Sequence, residues 1–268
     1  MNDFTFARPS DTQLREWVDT YFYLDIPVAD LLLAEEQVFP FPRITFGYFF
    51  DHPFAVTNHS SGETRRADMV FSRIASHQLS VKPLTDRVKI VGAHLKPFAL
   101  ALLTETDVSA LPWLIAADDL LQEHAVRLRR AIDDSATPEG MFAALEATLK
   151  AAAESKNLEV VKGAIDLIER HGGSITVAAV AAQVGTSPRT LRNHFYRTVG
   201  CSPKEYSLLV KLRQSVYQMR YSSDSLTAVS YDQNFADQAH FTHTVKKIIG
   251  THPHRIRKQL TSFRFLQF

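Results

Sequence analysis

The sequence contains a single cysteine, Cys201, among 268 residues. One thiol cannot close an intramolecular disulfide, nor supply a zinc site built from several thiolates, and such scarcity fits a reducing compartment. Cys201 stands between Gly200 and Ser202, where a structural role is preferred to a redox one. Long apolar runs are also missing. None approaches the roughly 18 residues that suggest a membrane span, and the N-terminal "MNDFTFARPSD" shows no basic segment followed by an apolar one. A cytoplasmic protein without membrane contact is expected. No glycine-rich phosphate loop, nucleophile elbow or catalytic carboxylate dyad occurs, so catalysis finds no footing in the motifs. His52, His59, His77 and His94 are scattered without a His-x-His pair, so neither a metal site nor a cofactor is expected.

Net charge is nearly absent as well, at +1, but the balance hides an asymmetry. Residues 1–157 carry 15 Lys and Arg against 22 Asp and Glu, a net −7, whereas residues 158–268 carry 15 against 7, a net +8. A basic half joined to an acidic one is a common layout for nucleic-acid binding with a separate sensory or assembly module; chance clustering of surface charge is the alternative. The content is otherwise ordinary for a folded chain, with 45% hydrophobic and 22% charged residues.

What the basic half does contain is a repeat. "TVGCSPKEY" ends one segment and "IIGTHPHRI" another: Gly200 and Pro203 recur as Gly250 and Pro253, and Leu191 and Phe195 as Phe241 and Val245, at an offset of about 50 residues. In "NLEVVKGAIDLIERHGG" the residues Val161, Ala164, Ile165 and Ile168 fall on one helical face, with Asn157 placed to cap the start and Gly172-Gly173 to end it. "TVAAVAAQVG" reads as a short helix of small residues ending at Gly185, whose missing Cβ permits a sharp turn. "SPRTLRNHFYRTVG" then opens with Ser187 as cap and Pro188 at the first helical position.

Leu191, Phe195 and Thr198 or Val199 of that helix face inward, leaving Arg189, Arg192, Asn193 and Tyr196 at i, i+3, i+4, i+7 on the other side, with Arg197 beside them. Helix, glycine turn and second helix make a helix-turn-helix, in which the second helix enters the major groove. A guanidinium donates two bonds to guanine O6 and N7, and an Asn amide pairs with adenine N6 and N7. Arg189, Arg192 and Asn193 are therefore candidate base readers; a solvated helix face is the competing reading.

The second copy runs through "SLTAVSYDQNFADQAHFTHTVKKIIG". Leu226, Val229 and Tyr231 are expected to pack its first helix, Asn234 stands where Gly185 stood, and Phe241, Val245 and Ile248 point inward. Its outward positions are Gln238, Ala239, Thr242, His243 and Lys246. Arg197, Lys246 and Lys247 are expected to meet phosphates. Between the copies "SPKEYSLLVKLRQSVYQMRY" reads as one linker helix buried along Tyr206, Val210, Leu212 or Ser215, and Met219.

Two such units on one helix resemble the DNA-binding domain of the AraC/XylS family of transcription regulators over roughly residues 157–261. The resemblance is carried by Ala181, Gly185, Ser187, Leu191, Phe195, the run from Gly200 to Tyr206, Phe235, Asp237, Phe241, Lys246, Gly250 and Pro253. The second unit departs from the family pattern at Ser230, Gln233, Asn234, His243 and Val245, and the linker at Lys211. The resemblance implies double-stranded DNA as partner and Ser187, Arg189, Thr190, Arg192, Asn193, Tyr196, Arg197, Gln238, Ala239, Thr242, His243, Lys246 and Lys247 as the DNA-facing set. For an activator it also implies RNA polymerase.

In the acidic half, "RITFGYFFDHPFAVT" and "DRVKIVGAHLKP" alternate as strands do, while "DDLLQEHAVRLRRAIDD" and "TPEGMFAALEATLKAAA" are helical. Leu121, Ala125, Leu128 and Ile132 form one apolar stripe, and Phe142, Leu145, Leu149 and Ala152 another, suited to core or subunit contact. Strands followed by two helices look like the cupin-like sensory domain of AraC-type regulators. The expected fold is thus α+β: a sensory or dimerisation domain over 1–155, with a β-rich barrel over about 1–115 and helices over about 118–155, followed by an all-α DNA-binding domain over 156–268. Phe39, Phe41, Arg43, Tyr48, Phe50, His94 and Lys96 are candidates to line a pocket for a small organic effector, with plain core as the alternative. A sequence-specific regulator, controlled by an effector or by homodimerisation, is the leading reading. A cupin-like enzyme with a vestigial DNA-binding tail and a protein-interaction module remain its rivals.

Overall fold

The computed structural model of the chain describes residues 4–31, 35–38, 41–74 and 78–259; Phe39 and His77 lie outside them. Among the described residues ten strands form two antiparallel sheets. The six-stranded sheet runs in the order β1 (Phe4–Ala7), β2 (Val18–Pro27), β9 (Arg87–Leu95), β4 (Ile44–Tyr48), β7 (Met69–Ser72) and β10 (Leu114–Ala116). The four-stranded sheet runs β3 (Glu36–Val38), β8 (Leu79–Pro83), β5 (Phe54–Asn58) and β6 (Glu63–Ala67). Side chains alternate across a strand, so β2 and β9 of the larger sheet serve two cores. Phe22, Leu24, Val88 and Ile90 meet Phe54, Val56 and Ala67 between the sheets. Tyr21, Phe46, Val91, Ala93 and Leu95 face the other way, toward the helices. β9 is central and covered on both sides, which is why it is buried continuously from Ile90 to Leu95. Gly92 on this strand is required by space: a Cβ there would stand 2.4 Å from the Phe22 ring and from the Phe46 carbonyl oxygen.

The helical expectation over 118–155 resolves into α1 (Ala117–Leu121), α2 (Glu123–Asp133) and α3 (Pro138–Ala152). The break between the first two is at Gln122, whose φ of 48° interrupts what the sequence reads as one helix. Both stripes are inward: Leu121, Ala125, Leu128 and Ile132 are buried, as are Phe142, Leu145 and Leu149, and the Phe142 ring stacks 5.6 Å from Tyr21 of β2. The expected domain boundary falls between the end of α3 and the start of α4 (Glu159–Arg170).

Among the described residues the regular structure of the second half is all helix: α4, α5 (Val177–Gln183), α6 (Pro188–Thr198), α7 (Pro203–Tyr221), α8 (Leu226–Asp232), α9 (Gln238–Ile249) and α10 (Pro253–Gln259). Local chemistry sets the breaks. Thr176, Ser187, Ser202, Ser225 and Asp237 each cap a helix by accepting from a backbone amide, and Ser202 with Glu205 completes a reciprocal capping box. Gly200 and Gly250 both adopt φ of 84°, and Pro203 and Pro253 both open the helix that follows. The repeated Gly-x-x-Pro is therefore a left-handed stop followed by a helix start, used twice. Gly185 and Asn234, at φ of 69° and 53°, make the two sharp turns.

Leu191, Phe195, Val199, Phe241 and Val245 are completely buried, and α7 is buried along Tyr206, Leu209, Val210, Leu212, Ser215 and Met219. One inward expectation fails: Tyr231 is 77% exposed, because Ser230 takes the inward position of α8 and donates to the Thr227 carbonyl. A single apolar core joins the helix-facing side of the larger sheet to both helix-turn-helix units.

Candidate nucleic-acid interface

The first reading helix, α6, is positioned by its buried side. With Leu191 and Phe195 at zero exposure, the opposite face turns outward, and Ser187, Arg189, Thr190, Arg192, Asn193, Tyr196 and Arg197 are all exposed on it. Ser187 accepts from the Thr190 amide at 3.1 Å and its hydroxyl bonds that of Thr190 at 2.9 Å, so these two secure the helix start. The side chains of Arg189, Arg192 and Asn193 make no hydrogen bond or ion pair with another residue among the described residues. Their forked donors are free to read base edges. Arg197 differs: its guanidinium pairs with Asp107 of the N-terminal half at 2.9 Å.

On α9, Gln238, Ala239, His243, Lys246 and Lys247 are exposed and Thr242 is half-buried. Gln238 is held from α8, its Oε1 accepting from the Thr227 hydroxyl at 2.7 Å. Around the departures from the family pattern this unit is packed and hydrogen-bonded. Val245 is fully buried, and Phe235 packs against Phe241 with ring centroids 5.0 Å apart. Lys211 of the linker helix donates to the Asn234 carbonyl at 3.1 Å, and the Asn234 amide donates to Ser174 Oγ of the first unit at 3.1 Å.

Of the seven residues expected to line one effector pocket, the six that the structure describes do not all converge. Thr45 pairs with His94 across β4 and β9 and Tyr48 with Val91, so His94 points between the sheets while Tyr48 points to the helices. Tyr48 donates to Asp133 at 2.9 Å, and Phe50 stacks on it at 4.7 Å, with Lys89 over the Phe50 ring. His94 and Phe41 do meet, at 5.1 Å. Burial pushes the His94 pKa down to about 4, so the ring is neutral at physiological pH. Phe39 is the member outside the described residues.

Arg43 and Lys96 serve another structure. Arg43 is 7% exposed and bridges the two halves: it pairs with Asp19 of β2, donates to Glu169 of α4 at 2.5 and 3.2 Å, and lies 3.3 Å from the Tyr206 hydroxyl of α7. Tyr206 donates to the same Glu169 at 2.5 Å, and Lys96 pairs with Asp19 at 3.0 Å. Burial is the largest influence on both carboxylates and pushes them up, but the charges of Arg43 and Lys96 and the hydrogen bonds from Arg43, Lys96 and Tyr206 together outweigh it and hold Asp19 and Glu169 below their ordinary range. Arg43 stands out in the sequence but its pairing does not, because Asp19, Glu169 and Tyr206 share no spacing with it. Beside this junction a groove of about 660 Å³ opens along α7, lined by Pro42, Glu169, Val210, Arg213 and Tyr217, with the Arg213 guanidinium 4.8 Å from the Phe41 ring.

Among the described residues no cluster of three or more His, Cys, Asp or Glu is placed to hold a metal ion, and no helix is long and apolar enough to cross a membrane. Burial raises the Cys201 thiol to about 12, which keeps it protonated and unreactive.

A family described as a helix-turn-helix domain matches residues 180–259. The HTH-type transcriptional activator RhaS of Escherichia fergusonii is 28% identical over 92 residues, 34% of this chain and 33% of that protein. RhaS of Escherichia coli is 25% identical over 137 residues, 49% of each chain. The chain thus spans a third to a half of the length of these relatives. Among solved structures, ToxT from Vibrio cholerae aligns over 98% of this chain and 100% of its own, with a TM-score of 0.54 at 9% identity. ToxT bound to an unsaturated fatty acid aligns over 96% and 95%, with a TM-score of 0.50 at 11% identity. At such identities the likeness is one of fold, a β-rich domain followed by a helical one. Residues 180–259 thus match a helix-turn-helix domain family, and the two capped units on one linker helix resemble the DNA-binding domain of the AraC/XylS regulators.

Proposed function

We propose that the protein is a sequence-specific transcription regulator that binds double-stranded DNA through residues 156–268 and is governed through residues 1–155. The observation that carries this reading is the α6 face: Arg189, Arg192 and Asn193 stand exposed and unengaged among the described residues, on a helix whose other face is fully buried. α9 offers a second such face, and the buried α7 holds both in one body, so that successive major-groove segments can be met together. Lys246 and Lys247 supply phosphate contacts. RhaS is described as an activator, which supports activation and contact with RNA polymerase here. ToxT with a bound fatty acid supports a small organic effector, for which the groove beside the Arg43 junction is open to both halves of the chain. The protein acts in the cytoplasm, without catalysis, and homodimerisation through the N-terminal half would double the number of reading helices on an operator.

A gel shift of the full chain on promoter fragments across a salt series tests this. Sequence-selective binding that weakens steeply with salt is expected, since phosphate contacts release counterions. Failure to bind any fragment even at low salt would refute it.

A further inference from the structure

The acidic half does more than adjoin the helical half. One segment of it, Thr104 to Leu111, lies against the first reading helix. Lys156 secures the near end, donating to the Thr104 carbonyl at 2.7 Å and pairing with Glu105 at 2.9 Å. Arg73 secures the far end, donating to the carbonyls of Val108 at 3.0 Å and Ser109 at 2.7 Å. At that end the Val108 side chain is fully buried against the turn that follows α6, so close that a Cβ on Gly200 would stand 3.0 Å from it. Pinned in this way, the segment presents Asp107 to the Arg197 guanidinium at 2.9 Å. Asp107 and Ser109 share a recess of about 380 Å³ with Thr190, Asn193 and Tyr196 of the reading helix. A carboxylate therefore sits on the cation that flanks the reading face, where a DNA phosphate would need to sit.

We propose that residues 104–111 form an acidic strap that competes with the DNA backbone for Arg197, so that the N-terminal half holds the first reading helix below its full affinity. This rests on the DNA-binding reading above and adds its regulation. Carboxylate and phosphate are both anionic acceptors, and one exposed guanidinium cannot serve both fully. The Arg197 and Asp107 side chains are 70% and 50% exposed, so the pair is weak and can be displaced by a phosphate without unfolding the strap. A movement of the N-terminal half that withdraws Asp107 would release Arg197, and this gives the sensory half a direct route to DNA affinity.

The test uses the full chain and fluorescence anisotropy on a promoter fragment selected for binding to the wild type. Asp107→Asn should tighten binding about twofold to fivefold at low salt, with the gain shrinking as salt is raised. Asp107→Ser should do the same, and Asp107→Glu, which keeps the charge, should bind as the wild type does. In an Arg197→Ala background the gain from Asp107→Asn should vanish. Unchanged or weakened binding by folded Asp107→Asn and Asp107→Ser would overturn the strap. An equal gain without Arg197 would show general repulsion instead and overturn the competition. If the wild type binds no DNA at all, the functional reading fails and the strap with it; if it binds and the neutral variants match it, the strap alone fails.

Discussion

Arg43 is the side chain on which the joint between the two halves most depends, and Arg43→Met removes it with little change in volume. The guanidinium is 7% exposed, while its partners Glu169 and Asp19 are 25% and 30% exposed. Taking it away leaves two largely buried carboxylates with less compensation: Asp19 keeps only Lys96 and Glu169 keeps only the Tyr206 hydroxyl among these partners. Breaking a buried pair by deleting one member costs about 3 to 5 kcal/mol, and that is the loss expected here in urea unfolding. The pH dependence supplies a second reading of the same event. Both carboxylates have pKa values depressed below their ordinary 3.8 and 4.5 in the folded protein. The unfolded chain thus binds more protons in mild acid, so the stability they confer is complete above about pH 5 and is lost as pH falls through the depressed folded values. Arg43→Met should flatten that acid limb as well as lower the plateau. A cost below about 1 kcal/mol with an unchanged acid limb would refute the junction as a buried, mutually compensated network.

Three other outcomes follow from the reading faces. Arg192→Ala should relax base preference at one operator position, since a guanidinium fork discriminates by about 1 to 3 kcal/mol, whereas His243, which has no such fork, should on replacement by Ala change overall affinity more than preference; binding to every single-base operator variant checks this, and equal relaxation by both would refute it. Lys246→Ala should weaken binding to all sequences alike and reduce the salt slope by about one, as titrations at several salt concentrations would show. Because Thr227 holds the Gln238 amide at 2.7 Å, Thr227→Val should blur base preference at the position Gln238 reads while Thr227→Ser preserves it; identical base-preference profiles for Val and Ser would show that the hydroxyl positions nothing.

The sequence by itself determined whatever is local. A serine before a proline starts a helix, glycine or asparagine supplies positive φ, and the spacing of Leu191, Phe195 and Val199 decides which face of α6 is left for solvent. These signals act within a few residues, so the repeat, its turns and the reading faces were legible in one dimension. Gln122 and Tyr231 show where local signals end: the break between α1 and α2, and the turning of Tyr231 to solvent, depend on how neighbouring elements pack rather than on periodicity. Only the tertiary structure decided which pocket candidates share a side of the sheet, because strand register assigns His94 and Tyr48 to opposite faces. It alone joined Arg43 to Glu169 across 126 positions and Arg197 to Asp107 across 90. Charge pairing between distant segments leaves no spacing in the chain to read. It arises when a continuous apolar core brings the acidic and basic halves together, and the path of the backbone then selects which charges meet.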